Sequence, residues 1–234
     1  MFKLFLLLIG LSTTNCFGQV SVKTYIPEGA KIYGPMILKE QTRIFPNVPY
    51  PPYILALTEH ETCITLKHSR CFNPKARLLT SREEGAGLPQ ITRTFREDGT
   101  VKMDVLTDYV KRYNKELHDL SWSNVYSRPD LQARFISLML RDLYKHYYRI
   151  PDPWQRTHFV DSAYNGGPGM LNKERMACGL AAGCNPNIFP HNVERYCLRS
   201  KNSIYGTRNA CDVNRHHVDD VLYVRFPKYR DLFK

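Results

Sequence analysis

The chain has 234 residues, 43% hydrophobic and 24% charged, ordinary values for a globular protein that exclude wholesale disorder. Beyond the N-terminus no apolar run approaches the ~18 residues that span a bilayer, which excludes a polytopic membrane protein. Lys and Arg number 33 against 22 Asp and Glu, and the resulting +11 favours an anionic partner such as nucleic acid, an anionic membrane or a negatively charged cell wall.

Residues 1–18, MFKLFLLLIGLSTTNCFG, read as a cleaved signal peptide. Lys3 supplies the positive start, Leu4 to Leu11 form an apolar core too short to cross a membrane, and Cys16 and Gly18 are small residues at a cleavage site. Export changes the meaning of the cysteines. Without the leader six remain: Cys63, Cys71, Cys178, Cys184, Cys197 and Cys211. An even set in an oxidising compartment reads as disulfides, with Cys63 and Cys71 close enough in sequence to be partners. No C-x-x-C pair is present, which argues against structural zinc. Export also weakens the nucleic-acid reading of the charge, so no nucleic-acid partner, no metal and no cofactor are expected. Nor is stable membrane insertion expected once the leader is gone.

Next comes a Pro-rich N-terminal extension over residues 19–50, with Pro27, Pro35, Pro46 and Pro49, followed by Pro51 and Pro52. Proline at this density predicts an extended arm rather than a helix. Residues 51–234 read as one domain. Helical spacing predicts a helix from about 52 to 66 through Ile54, Leu57 and Ile64, and another over 104–120. A third covers 128–148, with Ser127 as capping hydroxyl, Pro129 in the first turn and Asp130 behind it. Further helices are expected at about 155–165, 170–182 and 215–225, and a small hairpin within Gly85–Arg96. The class is α+β, predominantly α-helical.

At about 100° per residue, Glu61 falls inside the stripe made by Ile54, Leu57 and Ile64, while Glu59 points away. Burying a carboxylate is costly, and desolvation favours its protonated form, which suits a general acid. Pairing with one of the many basic residues is the other reading, and periodicity leaves both open. Two segments add to this. In Ser81-Arg82-Glu83-Glu84-Gly85-Ala86-Gly87-Leu88-Pro89-Gln90, two glycines permit close backbone approach to a ligand and Gln90 offers a donor and an acceptor. Its acidic pair reads as a solvated loop face before it reads as a second acid. In Ala163-Tyr164-Asn165-Gly166-Gly167-Pro168-Gly169 a helix ends in a rigid turn that holds Tyr164 and Asn165 at its lip. His216 and His217 read as surface residues, since no ligand-spaced partner accompanies them.

Together and in this order, the three segments resemble the soluble lytic transglycosylases, in their phage-type or exported form. Ala56-Leu57-Thr58-Glu59-His60-Glu61-Thr62 is similar to the family's catalytic helix, with Thr62 where Ser is usual. Gly85–Gln90 is similar to its glycine loop, one residue shorter and with Pro89 in place of Met. Ala163–Gly169 is similar to its Ala-Tyr-Asn-(Ala/Gly)-Gly-Pro-Gly segment. The resemblance spans roughly residues 50–230 and implies a lysozyme-like fold in a periplasmic or cell-envelope protein. It implies peptidoglycan strands as substrate and cleavage of the β-1,4 bond after N-acetylmuramic acid with formation of a 1,6-anhydro ring. Glu61 would be the general acid and base, and Tyr164 its hydrogen-bonded partner. Gln90, Asn165, Ser81 and Gly87 would lie against sugar. A muramidase-type hydrolase on the same fold and a non-catalytic glycan-binding protein are the alternatives.

Overall fold

The computed structural model describes residues 21–232, so the leader expected over residues 1–18 lies outside the described residues. Helices dominate, beside one small antiparallel sheet, as the α+β expectation has it. The spine is α5 (Pro129–His146). Its apolar residues point two ways. Ala133, Ile136, Leu140 and Leu143 enter one core with α1 (Glu28–Ile44), α2 (Tyr53–Thr62) and α6 (Pro153–Gly166). Leu131, Phe135 and Leu138 enter a second core with the sheet, α3 (Val105–Arg112) and α4 (Asn114–Leu117). One helix thereby joins a helical body to a β-sheet lobe.

The extended arm expected over the Pro-rich segment is instead a 17-residue helix, α1. Ala30, Gly34, Ile37, Gln41 and Ile44 are its buried residues, spaced by fours and threes, and they face α5 and α2. Only Pro35 lies inside; Pro27 precedes the first turn, and Pro46, Pro49, Pro51 and Pro52 follow the last. An internal proline costs about 3 kcal/mol, and burial of the stripe offsets it. Arg134 of α5 reaches Glu40 of α1 at 2.9 Å and adds a partly covered ion pair to that contact.

The sheet is a meander in the order β1 (Arg77–Leu79), β2 (Glu83–Ala86), β3 (Ile91–Phe95), β4 (Val101–Asp104). Ala86 pairs with Ile91, so the hairpin expected in this region turns over Gly87-Leu88-Pro89-Gln90. The helix expected over 104–120 breaks at Tyr113 into α3 and α4, and Asp104 caps α3 by accepting from the Thr107 amide at 3.0 Å. Ser127 does not cap α5: its hydroxyl donates to Asn124 O in the preceding turn. After α6 come α7 (Pro168–Leu180), the short pair β5 (Ser203–Tyr205) and β6 (Arg208–Asn209), and α8 (Ala210–Asp219). Asn209 and Asp212 form a reciprocal capping box at the start of α8. A π turn over Asp220–Arg225 leads into α9 (Phe226–Leu232). Bridges join Cys63 to Cys71, as expected, Cys178 to Cys184, and Cys197 to Cys211. Three disulfides are compatible with an oxidising compartment outside the cytosol, and no helix among the described residues is long and apolar enough to cross a membrane.

Helix α2 has no wet side through Glu59, since Tyr53 to Glu59 are all buried. Glu59, expected to point away, is fully buried and accepts from Arg225 Nη1 at 2.7 Å, Lys228 Nζ at 2.7 Å and the Tyr229 hydroxyl. Burial drives the Lys228 ammonium down and the Tyr229 phenol up, and the Glu59 charge acts on both. Ile64 lies past the end of the helix and is 64% exposed, so it forms no part of the stripe. Replacing Glu59 by Gln leaves the buried Lys228 ammonium without its carboxylate and Arg225 with Asp220 alone. Urea unfolding of Glu59→Gln is expected to show a loss of about 3 kcal/mol; an unchanged midpoint would contradict the anchoring role.

Candidate active site

Glu61 sits two residues beyond the anchor, on the side of α2 that faces the β lobe. A cleft of about 440 Å³ opens there. Its walls come from segments far apart in the chain: Glu61 and Arg70, the strand residues Leu78, Glu83, Glu84, Gly85 and Thr92, Gln90 of the hairpin turn, Tyr164 to Gly166 at the end of α6, and Arg199. Four of the six residues expected at the site, Glu61, Gln90, Tyr164 and Asn165, therefore border one cavity.

The partner of Glu61 is not Tyr164. The Tyr164 hydroxyl donates to Pro89 O at 2.6 Å and so ties the end of α6 to the hairpin turn. Burial raises this phenol far above its ordinary range, and the nearby Glu61 charge adds to the effect. Glu61 Oε1 instead lies 3.0 Å from His217 Nε2. The other ring nitrogen, Nδ1, lies 2.8 Å from Asp161 Oδ2, and Asp161 Oδ1 accepts from the Tyr53 hydroxyl at 2.7 Å. Asp161 is 0% exposed and His217 2%, while the Glu61 side chain keeps 16% toward the cleft. Burial alone would lower the affinity of His217 for a proton; Asp161 and Glu61 on either side outweigh it and push the imidazole up to about 10. The surface reading of His217 is thus overturned. His217 lies on the stripe that includes Asn214, Val218 and Val221, and that periodicity was the available signal. Asp161 stands three residues before Tyr164 on α6, the spacing that puts two side chains on one helix face.

The remaining expected residues do other work. Gly87 is not among the residues that border the cleft. It has φ +70°, and a Cβ there would meet the Gln132 side chain at 2.4 Å. Gln132, unforeseen in the sequence, is fully buried on α5, accepts from the Leu88 amide at 2.8 Å and donates to Pro74 O at 3.0 Å, which sets the hairpin turn on the spine. Ser81 borders a neighbouring cavity of about 910 Å³ with Arg82, Phe95 and Lys102; Glu83 belongs to both cavities. Gln90, at φ 46°, donates through Nε2 to Gly87 O at 2.7 Å, and Asn165 Oδ1 accepts from Asn214 at 2.9 Å. Glu84 is not on a solvated face: it is 2% exposed and held by Arg77, Arg93 and the Tyr126 hydroxyl. Burial opposes ionisation there, but those three donors hold its carboxyl below the usual range.

Arg199 forms part of the wall because Gly166 makes room for it, as a Cβ at 166 would lie 1.6 Å from Nη1. Its guanidinium donates to Gly166 O at 3.0 Å and to the buried Glu174 at 3.1 Å, and the Cys197–Cys211 bridge fastens its segment to α8. No group of three or more His, Cys, Asp or Glu among the described residues is arranged to hold a metal ion. Compared with known proteins, the chain matches no family model, no curated protein and no solved structure.

Two measurements follow from this geometry. Gly87→Ala combines a strained backbone with a clash, and its expected cost is about 2–4 kcal/mol in denaturant unfolding; a neutral result would remove the packing explanation. For His217, the folded form holds its proton more tightly than the unfolded one. The stabilisation is therefore fully present below the unfolded value of about 6.5 and is lost as pH rises through about 10. Thermal midpoints of the wild type should fall across that window more steeply than those of His217→Gln; parallel curves would show that the imidazole is not charged in the fold.

Proposed function

We propose that the protein is a peptidoglycan lytic transglycosylase with Glu61 as general acid and base. The observation that carries this reading is convergence: the three segments that resemble the family come from three distant stretches of chain, and Glu61, Gln90, Tyr164 and Asn165 border a single cleft. A groove between a helical body and a small sheet, with the acid at the end of a buried helix, is the arrangement that a lysozyme-like fold would supply. The disulfides are compatible with export, and the net charge of +11 suits attraction to an acidic wall polymer.

In this reaction the Glu61 carboxyl gives its proton to the glycosidic oxygen as the bond to C1 breaks. The resulting carboxylate takes the proton of the C6 hydroxyl as that oxygen attacks C1 and closes the anhydro ring. Acid–base assistance of this kind is worth about 10²–10⁴-fold. A single carboxyl group serves both halves, unlike the two-carboxylate scheme of most glycosidases.

One observation favours the hydrolytic alternative. Glu83 lines the same cleft as Glu61, and a hydrolase needs a second carboxylate to position water. Glu84 is spoken for by its two arginines and tyrosine. Digestion of purified peptidoglycan followed by mass analysis separates the two. Anhydromuramic ends are expected from the wild type, and Glu61→Gln is expected to lose at least ~10²-fold in rate with its fold intact. Reducing ends would make the protein a muramidase, and clearing activity retained by Glu61→Gln would end the enzymatic assignment of this residue.

A further inference from the structure

The sheet lobe carries a second cavity that the cleavage step does not use. It measures about 910 Å³ against about 440 Å³ for the cleft, and Glu83 borders both, so the two adjoin. Arg82, Arg96 and Lys102 stand around it. We propose that this cavity holds the acidic peptide stems of a peptidoglycan strand whose sugars occupy the cleft. The proposal rests on the reading of the cleft as a peptidoglycan site.

The lobe treats its cations in two ways. Arg77 and Arg93 are neutralised, since each donates through Nε to the buried Glu84 at 2.8 Å. Arg82, Arg96 and Lys102 are not: among the described residues none of them pairs with a carboxylate. Glu83 and Glu97 also border the cavity, and three cations against two carboxylates leave one positive charge in excess. A cavity rimmed mainly by one sign of charge draws in ligands of the other.

The backbone fixes where these cations stand. Thr94 pairs with Met103 and Phe95 with Val101, so Lys102 is the extra residue of a bulge, a device that re-aims a side chain. Arg96 is held through one nitrogen by neutral acceptors, with Nη1 donating to Val101 O at 2.7 Å and to Thr100 Oγ1 at 3.2 Å. That anchors the guanidinium without cancelling its charge and leaves Nε and Nη2 for a ligand. Arg82 sits on the turn between β1 and β2, where Thr80 Oγ1 accepts from the amides of Arg82 at 3.2 Å and Glu83 at 3.1 Å. A site ordered before its ligand arrives loses less freedom on binding.

The sugars themselves do not match this rim. Their hydroxyl and acetamide groups are neutral, and the carboxyl of muramic acid is tied into the amide that joins the stem. The stem peptide carries carboxylates along its length and an amine on a side chain. Arg82, Arg96 and Lys102 suit the carboxylates, Glu97 suits the amine, and Phe95 offers apolar surface to the alanine methyl groups. A volume near 900 Å³ lies within the range of about 300–1,000 Å³ that takes a compact ligand of this size.

Binding measurements on Glu61→Gln, which leaves the strand uncut, test the idea with soluble glycan strands of one length, either bearing stems or stripped of them by an amidase. Strands with stems should bind about tenfold more tightly. Adding Arg82→Ala, Arg96→Ala and Lys102→Ala together should bring the two affinities level. Salt at about 1 M, where the screening length is only about 3 Å, should do the same without those changes. Lys102→Glu alone, at an exposed position, should cut the preference at least in half and carries the test if the triple change folds poorly. Equal affinity for both strands from the outset, or a preference that survives removal of the three cations, removes the stem site and leaves the cleft assignment standing. If neither strand binds and the wild type cuts neither, the peptidoglycan reading fails and the stem site with it. The isolated stem peptide supplies an independent readout by NMR of the intact protein. It should shift the amides of residues 81–83 and 94–102, and shifts confined to other parts of the chain would overturn the proposal.

Discussion

A carboxylate without access to water has to be neutralised where it stands, and the position of Glu59 follows from this. Arg225 and Lys228 approach it from the end of the chain, and Tyr229 closes the remaining side. The π turn contributes directly. Its i→i+5 pattern brings Asp220 and Arg225 onto one face, where they pair, so the guanidinium that reaches Glu59 is itself held. Helix α2 is thus fastened to the last elements of the chain by charge, as well as to α1 by packing. Two residues along a helix amount to about 200° of rotation. With Glu59 locked on one side, Glu61 is committed to the other, where the cleft lies.

Much of the architecture was legible as periodicity. The helices α2, α5, α6 and α7 lie near their expected places because each carries an apolar pattern with a clear stop. The turn at Gly87–Gln90 and the pairing of Cys63 with Cys71 were legible for similarly local reasons. What failed was inference from a single residue type. Prolines hid α1, although its buried residues repeat at helical spacing and most of the prolines lie outside it. Glu59 was placed in water on the assumption that a helix has one wet face, and α2 is enclosed on nearly every side. Its partners lie more than 160 residues away in the chain, beyond the reach of any local pattern.

The site shows the same division. Glu61, Gln90, Tyr164 and Asn165, which border the cleft, were visible because they lie in short, unusual segments. The residues behind them were not. His217 looked like half of a surface pair, Asp161 like one more acid on a helix, and Gln132 like a neutral residue of no account. Each is buried and hydrogen-bonded, and each fixes something in front of it: His217 the carboxyl group of Glu61, Asp161 the ring of His217, Gln132 the hairpin turn. Gly87 illustrates the converse. A glycine expected to admit a ligand instead admits the amide of Gln132.

The clamp on α2 has a kinetic meaning. A carboxyl group on a mobile loop must be brought to order each time a polymer strand arrives, and that loss of freedom is subtracted from binding. Here the ordering is completed once, when the chain folds. The cleft is a mould rather than a grip: the place of Glu61 on its wall is set in advance.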